Sequence, residues 1–175
     1  QNRWDFYFYF YFVTNFNYYF TMSNRNKIEN TYFKLESFIP YQLAVVAESV
    51  SKAFSKTYAK RFGITIAQWR VLAAIGRESN CTASSIVEHT AMGKVQISRA
   101  VSMLVDAGYI KSRADPDDRR NSVLAFTNRG QSIYNRIIPA GIAFERELMR
   151  IFTQEEIKQF DHLLTKLNLH SKKIQ

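Results

Sequence analysis

Between Thr82 and Thr127 the apolar pattern changes from a helical period to a strand period, and few folds accommodate that change in so short a span. Thr82-Ala83-Ser84-Ser85-Ile86-Val87-Glu88-His89 predicts a short helix with a polar start, and Thr90-Ala91-Met92-Gly93 predicts a turn. A second helix is predicted from near Met92 to Asp106. Ala107-Gly108 stops it, Gly108 suiting a left-handed cap. Val101, Leu104 and Val105, three and four residues apart, predict its buried stripe. Lys94, Gln96, Ser98, Arg99 and Ser102 are the polar remainder, and several of them must share the opposite side. Tyr109 to Ala114 and Ser122 to Thr127 then alternate like strands. The run between them, Asp115-Pro116-Asp117-Asp118-Arg119-Arg120-Asn121, is dense in turn formers and charge. This order of elements predicts a helix-turn-helix followed by a two-stranded wing.

The surface chemistry of such a unit suggests its partner. Arg99 matches guanine, Gln96 matches adenine, and Ser98 suits a base or a phosphate. Lys94, near the helix start, suits a phosphate. The solvated side of an ordinary amphipathic helix has a similar composition, so the helix alone decides nothing. The hairpin shifts the balance, because a hairpin placed after such a helix can reach the neighbouring minor groove or phosphates, and a basic tip suits a narrow groove that concentrates negative potential. The formal net charge of +9, from 24 Lys+Arg against 15 Asp+Glu, also favours a polyanion. Double-stranded DNA is the partner these features predict. Sequence-specific reading and architectural binding without sequence preference are both open at this stage, and Gln96, Ser98 and Arg99 favour the first.

Four runs together carry a family resemblance: Ile97-Ser98-Arg99; Leu104-Val105-Asp106-Ala107-Gly108-Tyr109-Ile110; Asp115-Pro116-Asp117-Asp118-Arg119-Arg120; and Leu124-Ala125-Phe126-Thr127-Asn128-Arg129-Gly130. They resemble the MarR family of winged-helix transcriptional regulators, the Asp-Arg-Arg tip followed by a strand and Thr-x-x-Gly being the most specific part. Gly63 to Leu72 is similar to the family's second helix, with Gln68 where an acidic residue often precedes Trp-Arg. The resemblance spans roughly Phe38 to Lys172. It implies a mainly α fold with a small β-hairpin wing, in which long N- and C-terminal helices form a homodimer around the winged helix-turn-helix. It implies that Arg120 enters the minor groove, with Asp118 orienting it and Arg119 near a phosphate. It further implies a small aromatic or phenolic effector in a crevice between the dimer helices and the reading head, where Tyr41, Trp69 and Arg70 are the candidates. The family's peroxide-sensing branch carries a reactive cysteine in the first long helix. This chain has none there, so that chemistry is not carried over.

The remaining segments fit around the reading head. Residues 1–21 are packed with Phe and Tyr interleaved with Asn, without the basic start, aliphatic core or cleavage site of a signal peptide. All three residue types have A/T-rich codons, so the expectation is translated upstream sequence, with Met22 the authentic start. Residues 22–37 are polar and expected to fray. A helix is predicted from Phe38-Ile39-Pro40 to about Phe62, stopped by Gly63, with Leu43, Val46, Val50, Ala53, Phe54, Tyr58 and Phe62 as its stripe. Thr65 to Arg77 predicts another helix, with Trp69 serving its packing more than any ligand. Thr127 caps a long helix with Ile133, Ile137, Ala140, Phe144, Leu148 and Ile151 on one side, and Pro139 and Gly141 should kink or loosen it. Thr153-Gln154-Glu155-Glu156 is a capping box opening a last helix. The expected plan is therefore a DNA-binding unit over residues 64–127 and a helical dimerisation region over 38–63 and 128–172. An intramolecular bundle is the alternative use of those long helices.

No catalytic constellation stands out. His89, His162 and His170 are scattered without metal-ligand spacing. Gly93-Lys94 resembles the end of a phosphate loop, but Val95 replaces its Ser/Thr. Cys81 is the single cysteine, which excludes an internal disulfide and any Cys-x-x-Cys motif and fits a reducing, cytoplasmic setting. No catalytic residue, metal, cofactor or membrane association is assigned. The weaker alternatives are a ligand-binding helical module or an enzyme.

Overall fold

The computed structural model describes residues 33–78, 81–114 and 122–174. The aromatic leader and the wing residues Asp118, Arg119 and Arg120 lie outside the described residues. The chain divides into two compact units, Gln1–Tyr41 and Gln42–Gln175. In the first, a 3-10 turn over Leu35–Ser37 is closed by the Ser37 hydroxyl donating to the Lys34 carbonyl at 3.0 Å. Phe33 and Phe38 meet there edge to face, with ring centroids 5.1 Å apart. Helix α1 (Ile39–Ser55) begins in this unit, and Pro40 occupies its first turn, where a missing N–H costs little.

The predicted single helix ending at Gly63 is in fact two. After α1 the chain makes a turn and resumes as α2 (Ala59–Phe62). Lys56, Thr57 and Tyr58 donate backbone bonds three residues back, and the hydroxyls of Ser55 and Thr57 bond the carbonyls of Lys52 and Phe54, both at 2.8 Å. These hydroxyls compete with the helical ladder, which the apolar spacing alone could not register. The break accompanies full burial of Tyr58, at 1% exposure. Gly63 then takes a left-handed φ of 65°, as a helix stop requires.

Helix α3 (Ile66–Arg77) opens with a capping box: Thr65 Oγ1 accepts from Gln68 N, and Gln68 Oε1 accepts from Thr65 N at 2.8 Å. Gln68 is thus buried and satisfied, which accounts for an uncharged residue at this position. Thr65→Ala is expected to cost about 1 kcal/mol. A thermal melt should show it as a Tm lower by roughly 2–4 °C.

Strand β1 (Cys81–Thr82), α4 (Ala83–His89), α5 (Lys94–Asp106), β2 (Ile110–Ala114) and β3 (Ser122–Phe126) complete the winged helix-turn-helix unit. The sheet order is β1-β3-β2, antiparallel throughout. Strand β1 is absent from the sequence-based expectation. It pairs Cys81 with Leu124 and Thr82 with Val123, while Thr82 also caps α4 by accepting from Ser85 N at 3.1 Å. Two residues are too few to show a period, and the cap signal of Thr82 masks its strand role. Because α3, α4 and α6 all touch β3, Val123 and Leu124 are both buried although they point to opposite faces.

The core is one cluster, built on Val71, Leu72 and Ile75 of α3, Ile86 of α4, Ile97, Ala100 and Leu104 of α5, and Ile133 and Ile137 of α6. Each fully buried Leu or Ile contributes roughly 1.5–3 kcal/mol. Helix α6 (Asn128–Met149) runs through Pro139 without interruption. Its stripe is buried only in its first half, since Leu148 is 39% and Ile151, just beyond its end, 79% exposed. Helix α7 (Gln154–Ser171) has the predicted Thr153–Glu156 box. Hydrogen bonds from Thr153 N and Oγ1 hold the Glu156 carboxyl below its usual range. That support is present above the ordinary carboxylate pKa and is lost as pH falls through the lowered one.

Candidate nucleic-acid interface

Helix α5 offers one face to the core and one to solvent, though the buried stripe differs from the predicted one. Ile97, Ala100 and Leu104 are buried, Val101 is half-buried, and Val105 is 39% exposed. Both sets satisfy helical spacing. Ala100 carries little hydropathy, yet its small side chain suits the contact that α5 makes with α3. The burial therefore centres one step away from the run of valines.

Lys94, Gln96, Ser98 and Arg99 are all exposed. At roughly 100° per residue, Val95, Ser98, Arg99 and Ser102 occupy the centre of the outward face, with Lys94 and Gln96 on its opposite flanks. Among the described residues, no ion pair neutralises Lys94 or Arg99. Gly93, the N-cap, supplies no side-chain hydrogen bond, so the first-turn N–H groups keep their capacity for an external acceptor. An open groove of about 420 Å³ runs beside this face, lined by Thr65, the N-cap of α3, by Ala67 of α3, and by Val95, Gln96, Arg99 and Met103 of α5.

The wing strands pair in register from Ile110–Phe126 to Ala114–Ser122. Lys111 and Arg113 project from the outer strand β2 and are exposed. Their spacing of two puts both on one face, a signal that a reading centred on the helix and the tip passes over.

The helix is fastened to the scaffold by the Thr-x-x-Gly run. Thr127 N donates to the Tyr109 carbonyl at 3.0 Å, and Thr127 Oγ1 donates to the Gly108 carbonyl at 2.7 Å while accepting from Gly130 N at 3.1 Å. Arg129 donates to the Ala107 carbonyl at 3.1 Å and lies over the Tyr109 ring, 4.7 Å from its centroid. Gly130 is buried against the same turn, and a Cβ there would stand 1.8 Å from the Tyr109 carbonyl oxygen. Gly108 takes the expected left-handed φ, 67°. Sequence reasoning identifies Thr127 as a cap, but the tie from Arg129 and Gly130 back to α5 needs the three-dimensional contact.

Of the crevice candidates, Tyr41 is exposed near the start of α1. Trp69 is half-buried in an aromatic cluster, stacked on Tyr134 at 6.1 Å and close to Phe54 and Tyr58. Arg70 donates to the Ser51 hydroxyl at 3.2 Å. Burial pushes the Tyr58 phenol up to about 12, and the nearby Arg70 charge offsets part of that.

Cys81 is buried, with 1% exposure, and 3.8 Å from the Ser85 hydroxyl. Burial, the largest effect, pushes its thiol above the ordinary range. Native protein at neutral pH should therefore react with a maleimide far more slowly than protein in denaturant. Equal rates, followed by mass spectrometry, would contradict this buried placement. Among the described residues no group of His, Cys, Asp and Glu could hold a metal, and no helix is long and apolar enough to cross a membrane.

Comparison with known proteins places this geometry. Residues 62–121 match the MarR family model. An uncharacterized HTH-type transcriptional regulator of Bacillus cereus is 29% identical over 124 residues, covering 70% of this chain and 82% of its own. The crystal structure of a MarR/EmrR family transcriptional regulator from Acinetobacter is similar with a TM-score of 0.74 at 25% identity, covering 81% of this chain and 99% of that one. The Bordetella bronchiseptica protein BpsR, whose DNA binding is regulated by 6-hydroxynicotinic acid, shares the fold with a TM-score of 0.69 at 19% identity, over 79% of this chain and 98% of its own.

Proposed function

We propose that this chain, a MarR-family transcriptional regulator with a winged helix-turn-helix, acts as a homodimeric repressor in the cytoplasm, reading a pseudo-palindromic operator in double-stranded DNA. The observation that carries the reading is the outward face of α5, where Lys94, Gln96, Ser98 and Arg99 stand exposed on a helix whose other side is core. Arg99, Gln96 and Ser98 take base edges or backbone, and Lys94 takes a phosphate. Arg120 of the wing enters the minor groove with Asp118 orienting it, and Arg119 meets a phosphate. The reading head corresponds to residues 64–127.

The dimer uses the helices on either side, residues 38–63 and 128–172. Support comes from apolar side chains that folding of one chain leaves in water: Leu43, Val45 and Val46 of α1, and Phe160, Leu163, Leu164 and Leu167 of α7. Two-fold symmetry then sets the half-sites about one helical turn apart, ~10 bp. A small aromatic or phenolic anion is the proposed effector, held near Trp69 and Arg70. The half-buried guanidinium of Arg70, felt by the neighbouring Tyr58, suits that chemistry.

The test is fluorescence anisotropy against a pool of random duplexes, with salt varied. The expected result is an inverted-repeat consensus bound well above random DNA, with affinity falling steeply as salt rises. Weak, uniform binding to all sequences would replace this reading with an architectural one. No binding at low salt would remove DNA from the account.

A further inference from the structure

Val95 stands at the centre of the outward face of α5, yet the contacts proposed above give it nothing to do. It is 66% exposed. It is the second residue of the helix, one turn before Arg99 and three residues before Ser98. Folding gains little from it there. Its β-branched side chain lowers helix propensity, and its exposed isopropyl group recovers little of the burial energy that a core valine supplies. Single exposed apolar residues are ordinary on protein surfaces. This one, however, sits among Lys94, Ser98 and Arg99, at the end of a recognition helix whose residues reach base edges.

We infer that Val95 is a specificity-determining residue that reads the C5-methyl group of a thymine. The inference rests on the DNA-reading role of α5. An isopropyl group cannot hydrogen-bond a phosphate or a base edge, and the apolar feature that the major groove displays is the thymine methyl. Helical restriction of the valine rotamer holds the group in one orientation before contact, so little entropy is lost on binding. Arg99 lies four residues on, about 6 Å along the axis. That is less than two base-pair steps of about 3.4 Å. The thymine read by Val95 therefore falls within two base pairs of the guanine read by Arg99.

The experiment uses the full chain and the duplex selected from the random pool. Each thymine is replaced singly by deoxyuridine, which removes only the methyl group. Affinities are measured for the wild type and for Val95→Ala. One thymine in each half-site should matter: deoxyuridine there should weaken the wild type about fourfold, the equivalent of ~0.8 kcal/mol for one buried carbon. The same replacement should leave Val95→Ala unaffected. If every deoxyuridine duplex weakens both proteins equally, the inference is overturned while DNA reading by α5 stands. If no preferred duplex emerges from the pool, the DNA-reading role itself fails, and the inference with it. Because Val95 is exposed, an unchanged melting curve for Val95→Ala separates either result from misfolding.

Discussion

Gly130→Ala is expected to destabilise the protein by about 3 kcal/mol or more, beyond the usual cost of overpacking. The added methyl would lie 1.8 Å from the Tyr109 carbonyl oxygen and 2.7 Å from its carbon. Both are backbone atoms, and both belong to the turn that ends α5, so neither can rotate aside. Relief requires α6 to lift from that turn, which would break the Thr127 bonds to Gly108 and Tyr109 and the Arg129 bond to Ala107. In a thermal melt this corresponds to a Tm lower by roughly 6–12 °C. Gly63→Ala is the informative control. Gly63 has a left-handed φ of 65°, but an added methyl would meet nothing within 4 Å, so only backbone strain of about 1 kcal/mol is expected. Equal losses for the two variants would show that close approach at Gly130 is not what selects glycine there.

Arg99→Ala is expected to weaken operator binding by about 1–3 kcal/mol, roughly fivefold to more than a hundredfold, with little change in Tm. Arg99 is exposed and has no ion pair among the described residues, so its removal leaves no buried partner unsatisfied. The same range is expected for Arg120→Ala, whose residue is assigned to the minor groove by resemblance. The two should differ in kind. Loss of Arg99 should relax preference at one guanine position, whereas loss of Arg120 should act through groove width and A·T content. Lys94→Ala should weaken all sequences alike and reduce the salt slope by about one ion. Titrations over several salt concentrations, with single base-pair substitutions, separate these cases. Arg99→Ala binding with wild-type affinity would remove Arg99 from the interface.

Much of this architecture can be read from residue order because the signals are local. Gly108 ends α5 with the left-handed conformation its position requires, and Thr153 with Glu156 forms the expected box. The polar face of α5 is legible for the same reason, since alternation of Lys, Gln, Ser and Arg with apolar residues at helical spacing leaves few arrangements. The misses arise where two local signals compete or where the cause is distant. Phe54, Tyr58 and Phe62 keep a helical period across a break made by the Ser55 and Thr57 hydroxyls. Val101, Leu104 and Val105 fit a stripe as well as Ile97, Ala100 and Leu104 do, and only the packing of α3 and α4 chooses between them. Cys81 carries no strand signal, because its pairing with Leu124 depends on a strand some forty residues later. The tip residues Asp118, Arg119 and Arg120 lie outside the described structure, and their roles rest on resemblance.

The bonds joining Thr127 and Arg129 to the turn that ends α5, with Gly130 packed against it, also have a mechanical meaning. They weld α5 to the root of a shaft, because α6 continues for 22 residues, about 33 Å. Pro139 sits about halfway along it, where one rung of the hydrogen-bond ladder has no donor and the shaft bends most easily. The weld lies about 16 Å from that point. A bend of about 10° at Pro139 would carry it through about 3 Å, close to one base-pair rise. In the proposed dimer on its operator, small angular changes in the distal shaft would be geared into a displacement on the scale of one base-pair rise.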